Sequence, residues 1–279
     1  MEAESAERGK EIISHFVLVH GACHGAWCWY KLSDLLKNAG HVVTAVDLGG
    51  AGLNPKDGDG IRSLAEYNEP LARFMEALPH GDEDGAEKDE KVILVGHSMG
   101  GVDLTCMMEQ FPHKIAAAVF VTAFMPVPGT APLQLINQVY ERNKTWGDTE
   151  FKYGLDGQPS RPTSFKFGSN FAREYLYHKS PSQDITLAER LLRSMPVLDE
   201  AVVYSSENYG RVPRAFIVAK QDKAIWEELQ RKMIADNPPD RVYELEESDH
   251  SPFFSCPARL ARILQEISTH CADGLIHTY

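Results

Sequence analysis

The sequence has little of what marks several large protein classes. Positive charge is short: 28 Lys and Arg stand against 40 Asp and Glu, a formal net charge of -12. Such a chain repels phosphate backbones and anionic lipid headgroups, so neither nucleic acid nor a membrane is expected as a partner. Much of the excess sits in one run, Asp82 to Glu90, which reads as a solvated loop. No stretch approaches the ~20 consecutive apolar residues that span a bilayer. The first residues, Met1 to Ile13, mix Glu, Lys and Arg without an apolar core, so they do not read as a secretory signal. Cysteine is scarce and odd in number: Cys23, Cys28, Cys106, Cys256 and Cys271 lack metal-ligand spacing. That usage fits a reduced compartment, and a cytoplasmic location is expected. There is no internal repeat, no phosphate loop and no G-x-G-x-x-G, so no cofactor or metal is called for.

What is present is a recurring pair: a short apolar run, then a helical pattern. The runs are Phe16–Val19, Val42–Val46, Val92–Val95, Ile115–Phe120, Ala215–Val218 and Val242–Leu245. Amphipathic stretches lie between them, such as Leu32, Leu35 and Leu36 before Gly40, and Leu260, Ile263, Leu264 and Ile267 near the end. Continuous β-branched runs separated by such helices predict an α/β fold with a mostly parallel sheet. The rhythm breaks between about Pro126 and Tyr209, too long for an ordinary connection. A mainly helical cap over residues 127–209 is expected there, with Leu187 to Met195 as one of its helices. The core then comprises 14–126 and 210–272, and residues 1–13 and 273–279 are expected to be flexible termini.

The sharpest feature is Gly96-His97-Ser98-Met99-Gly100, a G-x-S-x-G pattern. Chance gives such a match with a probability of about 0.1 in a chain of this length, so context must carry it. The pattern directly follows one strand and precedes a helix, as a nucleophile elbow requires. Serine at its own pKa is a poor nucleophile and needs an oriented base. His250 follows the last apolar run and Asp222 follows the one before it, giving the chain order Ser, acid, His. Asp249 is a rival acid, disfavoured because a residue adjacent to the histidine seldom faces its Nδ1. Acyl transfer also needs donors for a tetrahedral oxyanion. Backbone N–H groups of Met99 and of Ala22, in the loop after the first strand, are the candidates. His20, His24 and His97 fall near the same pocket and are expected as structural or substrate-binding groups. Phe120, Phe124, Phe253 and aromatics from Trp146 to Tyr177 could line the pocket or pack the core.

These residues resemble the plant methyl esterases, a family that includes salicylate-binding esterases, polyneuridine aldehyde esterase and hydroxynitrile lyases. The likeness is carried by His15 to Trp27, by Val46-Asp47-Leu48, by Val92 to Gly101, and by Asp222-Lys223 and Asp249-His250. It runs from about His15 to Cys271. It implies an α/β-hydrolase fold and hydrolysis of a small-molecule methyl ester by Ser98, Asp222 and His250, with Ala22 and Met99 as oxyanion donors. It also suggests a homodimer. The stretches Glu246 to Ser255 and Tyr175 to Pro181 look like the branch of indole-acetate and pheophorbide-type methyl esterases, in some of which decarboxylation follows. The acidic run and residues Asn143 to Phe167, the latter within the expected cap, depart from the family pattern. A lyase on the same fold is the second reading. Those lyases carry Thr where this chain has Gly21 and Lys where it has Ser251, which argues against it. A slow hydrolase acting as a hormone-binding protein is the third.

Overall fold

All six apolar runs become strands of one parallel sheet. In chain order the first half gives β1 (His15–Val19), α1 (Tyr30–Asn38), β2 (Val42–Val46), α2 (Leu64–Ala77), β3 (Val92–His97), α3 (Gly100–Gln110) and β4 (Ile115–Val121). The computed structural model describes residues 13–79, 90–142, 146–153, 162–198, 200 and 204–274. Most of the acidic run and most of the termini expected to be flexible lie outside them.

Between β4 and β8 the chain leaves the sheet. It forms α4 (Leu133–Arg142), β5 (Glu150–Tyr153), β6 (Pro162–Lys166) and the short α5 (Ser169–Phe171), which runs into a π-helical turn at Ala172–Leu176. Then come α6 (Ser182–Leu191) and β7 (Met195–Pro196). The chain returns through β8 (Arg214–Ala219), α7 (Glu227–Asp236), β9 (Arg241–Leu245), α8 (Pro252–Ser255) and α9 (Pro257–Ala272).

The sheet order is β2-β1-β3-β4-β8-β9, with every pair parallel. β3 and β8 are buried along their whole length, as strands covered on both faces must be. The edge strands are less covered, β2 being mostly half-buried and β9 mostly exposed. Helices flank the sheet, with α1 packed on α9 and α2 on α3. Ser63 caps α2 by accepting the Glu66 N–H at 3.0 Å. Because all six strands run the same way, their carboxyl ends share one rim. The loops carrying Ala22, Ser98, Asp222 and His250 all leave from that rim.

The inserted segment holds the expected helices and also a three-stranded antiparallel sheet, β5-β6-β7, which periodicity did not reveal. The helix expected over Leu187 to Met195 is corrected: it ends at Leu191, with Leu192 turning to ψ 131°. Pro196 forces its predecessor out of the helical region, and Met195 pairs with Phe165 instead. The segment is tied to the core by polar anchors. The Arg193 guanidinium donates to the carbonyls of Gly52, Asn54 and Lys56 at 2.8–3.0 Å. Buried Asp184 accepts from Tyr30 at 2.6 Å and Lys31 at 2.5 Å.

Candidate active site

Ser98 stands at the turn between β3 and α3 with φ 55°, a left-handed conformation that costs a non-glycine residue free energy. The surroundings hold it there. Its N–H donates to the Val121 carbonyl at 3.4 Å, and its carbonyl accepts from Gly101 and Phe124, both at 3.1 Å. The turn also needs a small residue behind it. A Cβ on Gly100 would lie 2.7 Å from the Val19 carbonyl oxygen. The hydroxyl is thus presented at the N-terminus of α3, where developing negative charge is favoured.

On the same rim, Asp222 gathers four hydrogen bonds. Its Oδ1 accepts the N–H groups of Ala224 and Ile225 at 2.7 and 2.9 Å. Its Oδ2 accepts the Thr122 hydroxyl and, at 2.6 Å, the Nδ1–H of His250. With Nδ1 carrying that proton, Nε2 of His250 is left with its lone pair, the form a general base needs. All three side chains are buried or nearly so.

Thr122 was not singled out in the sequence. It follows β4, is fully buried and sits at φ 39°, with its N–H on the Ile217 carbonyl at 2.9 Å. It lies 100 residues from Asp222 in sequence, and nothing in its local pattern points there. Asp249 faces elsewhere: its Oδ2 accepts the Lys179 N–H and the Ser180 hydroxyl, both at 2.9 Å, and its Oδ1 accepts the Ser251 N–H. It ties the inserted segment to the histidine loop.

His20, His24 and His97 are absent from the lining of the substrate cavity, so of the two roles expected for them the structure favours the structural one over substrate binding. All three are buried, and protein groups occupy five of their six ring nitrogens. His20 donates from Nδ1 to the Gly21 carbonyl at 2.9 Å and accepts the Leu48 N–H on Nε2. His24 donates from Nδ1 to the Ala22 carbonyl at 2.8 Å and accepts the Tyr177 hydroxyl on Nε2 at 2.6 Å. His97 donates from Nε2 to the His250 carbonyl at 2.7 Å, while its Nδ1 has no partner among the described residues. Burial lowers the pKa of all three, that of His24 to about 3. They stay neutral and act as struts. The His20 bond matters most, because the Gly21 carbonyl and the Ala22 N–H belong to one planar peptide. Fixing one end aims the other. Gly21 itself has no room for a side chain: a Cβ would lie 2.8 Å from the Ser98 Cβ and 2.9 Å from His97 Nδ1.

Ala22, Ser98, Met99 and His250 line one cavity of about 480 Å³, part of it open to solvent. The rest of its wall is apolar, with Phe124, Ala224 and Ile225 from the core and α4 and the β6–α5 region from the insertion. Trp146, Phe167 and Phe171 stack there, Phe167 on Phe171 at 5.2 Å between ring centroids. Of the aromatics named from sequence, Phe124, Trp146, Phe165, Phe167 and Phe171 line the cavity. Phe120 and Phe253 pack the core instead, Phe253 against Trp29 at 5.0 Å.

The elbow, the acid–base pair and the apolar cavity coincide with a match of residues 16–263 to the alpha/beta hydrolase family. Methyl jasmonate esterase 1 of Vitis vinifera is 44% identical over 91% of this chain and 96% of its own. This chain belongs to the plant methylesterase family. Methylesterase 1 of Arabidopsis thaliana is 43% identical over 95% of this chain and 98% of its own. The crystal structure of polyneuridine aldehyde esterase superposes with a TM-score of 0.83 at 38% identity, covering 91% of this methylesterase-family chain and 99% of that one.

Proposed function

We propose that this carboxylic ester hydrolase cleaves the methyl ester of a small plant metabolite through an acyl-enzyme on Ser98. The convergence of Asp222 on His250 beside the cavity that Ser98 lines carries the reading. His250 Nε2 takes the Ser98 proton as Oγ attacks the ester carbon. The carbonyl electrons move onto oxygen, toward the N–H groups of Ala22 and Met99. As the C–O bond breaks, His250 returns the proton to the leaving methoxide, and methanol departs. Water then repeats the sequence to free the acid and Ser98.

The stacked aromatic wall suits a flat or apolar acyl group. Methyl indole acetate, methyl jasmonate and a chlorophyll-catabolite carboxymethyl ester are the candidates, and the resemblance to a methyl jasmonate esterase supports the second. Methanol release from a panel of these esters tests the reading. Steady turnover of at least one is expected. A single turnover with retained acid would instead make the chain a hormone-binding protein, and cyanohydrin cleavage without ester turnover would make it a lyase.

A further inference from the structure

Tyr177 is fully buried, lines no part of the substrate cavity and has no direct place in the ester chemistry. It directly follows the π-helical turn Ala172–Leu176 of the inserted segment, and Leu176 of that turn does line the cavity. Turns of this kind recur at functional sites. The Tyr177 N–H closes this one on the Ala172 carbonyl at 3.0 Å. Its hydroxyl leaves the insertion and meets Nε2 of His24 at 2.6 Å. The far side of the imidazole fixes the roles. Nδ1 of His24 lies 2.8 Å from the Ala22 carbonyl oxygen, which only accepts, so Nδ1 carries the proton. Burial keeps the ring neutral, so Nε2 holds a lone pair and Tyr177 donates to it.

That chain of bonds ends beside an oxyanion donor. Ala22 is held through the carbonyls of both its flanking peptides, that of Gly21 by His20 and its own by His24. His20 is backed by the core, through the Leu48 N–H. His24 is backed by the insertion, through Tyr177. The next residue, Cys23, sits at φ 64°, a strained conformation that its surroundings must hold. The insertion supplies that hold too: the Cys23 carbonyl accepts the Arg193 N–H at 3.0 Å, and its thiol donates to the Phe165 carbonyl at 3.6 Å. We propose that Tyr177 is a positioning residue for ester cleavage: by holding His24 on the Ala22 carbonyl, it aims the Ala22 N–H at the oxyanion of the transition state. This rests on the reading of Ser98 as the nucleophile and of Ala22 as an oxyanion donor. Without the hydroxyl, Nε2 is a buried acceptor with no donor, and the cost is relieved when the ring turns away from the carbonyl.

Tyr177→Phe tests this, since it removes the hydroxyl and keeps the ring. Complete loss of one oxyanion donor costs about 10²–10³-fold in kcat. A donor that stays but is misaimed costs less, so kcat for 4-nitrophenyl phenylacetate is expected to fall by roughly 10- to 100-fold with KM little changed. Two inhibitors give the readout that a structural role would not move. Benzyl trifluoromethyl ketone forms an adduct with Ser98 that carries the oxyanion, whereas benzyl methyl ketone stays trigonal. Affinity for the first should fall by about the same factor as kcat, and affinity for the second should hold. In a His24→Ala background, Tyr177→Phe should cost less than about twofold. Thermal unfolding checks that each variant is folded. Unchanged kcat in Tyr177→Phe, equal weakening of both ketones, or the same loss with and without His24 would overturn the role of Tyr177 and leave the esterase standing. An unmutated protein that neither cleaves the ester nor binds the trifluoromethyl ketone would sink the esterase reading, and the role of Tyr177 with it.

Discussion

Asp222 Oδ2 lies 2.6 Å from His250 Nδ1, although 28 residues separate the two. The aspartate next to that histidine, Asp249, points instead at the backbone of Lys179 and the hydroxyl of Ser180. The two acids therefore have separable effects. Asp222→Asn is expected to lower kcat by roughly 10³–10⁴-fold, because the histidine loses its orientation and tautomer. Asp249→Asn is expected to keep kcat within about tenfold while lowering Tm by about 4 °C, since it loosens a buried anchor. The reverse pattern would mean that Asp249 is the catalytic acid.

Thr122 acts on the chemistry only through Asp222. Thr122→Val keeps the shape and removes the hydroxyl that donates to Oδ2. A hydrogen bond to a charged group is worth about 1.5–3 kcal/mol, so kcat should fall by roughly tenfold or more with KM little changed. Thr122→Ser should restore most of it. A purely structural role would move stability and leave kcat in both variants alike.

Gly21 presses against the nucleophile. Gly21→Ala places a methyl group 2.8 Å from the Ser98 Cβ, so either Ser98 or the Ala22 loop must shift. A displacement of that kind is expected to cost roughly 10²-fold in kcat. His20→Ala should act in the same direction by releasing the peptide that carries the Ala22 N–H. Unchanged kcat in both variants would remove Ala22 from the oxyanion site.

Buried titratable groups set the pH of greatest stability. Unfolded His24 titrates at 6.5 and folded His24 at about 3, so between these values the unfolded chain binds a proton the folded chain does not. Stability from this group is full above pH 6.5 and is lost as pH falls, and His20 and His97 act in the same direction. Asp103 has the opposite sign. Its folded value is about 8 against 3.8 unfolded, so its contribution falls as pH rises through that window. Below pH 6.5 three histidines outweigh one aspartate, and above it Asp103 remains. Chemical denaturation should therefore show a maximum near pH 7, with a loss of about 1.4 kcal/mol per pH unit for each net proton on the acid side. Asp103→Asn should flatten the alkaline side. Stability that stays level from pH 7 down to pH 5 would contradict the histidine assignments.

The sheet was legible because its strands are continuous apolar runs, and such runs have few other homes. Ser98, Asp222 and His250 were legible because each follows one of those runs, and a parallel sheet delivers all strand ends to one rim. The insertion was less so. β5 is mostly exposed and β7 is two residues long, so neither leaves a pattern, and their pairing is set by distant contacts. The sequence left the histidines open between structural and substrate-binding roles for a related reason. Closeness to Ser98 in sequence says nothing about which way a ring turns, and His20, His24 and His97 turn toward carbonyls behind the cavity wall.

The most direct measurement is where the acyl group goes. Rapid quenching during turnover of 4-nitrophenyl acetate, followed by peptide mass mapping, should find one acetyl group on Ser98. The His250→Ala protein should acylate far more slowly, and Ser98→Ala should carry no label. An acetyl group on another residue, or full hydrolysis by Ser98→Ala, would contradict the mechanism.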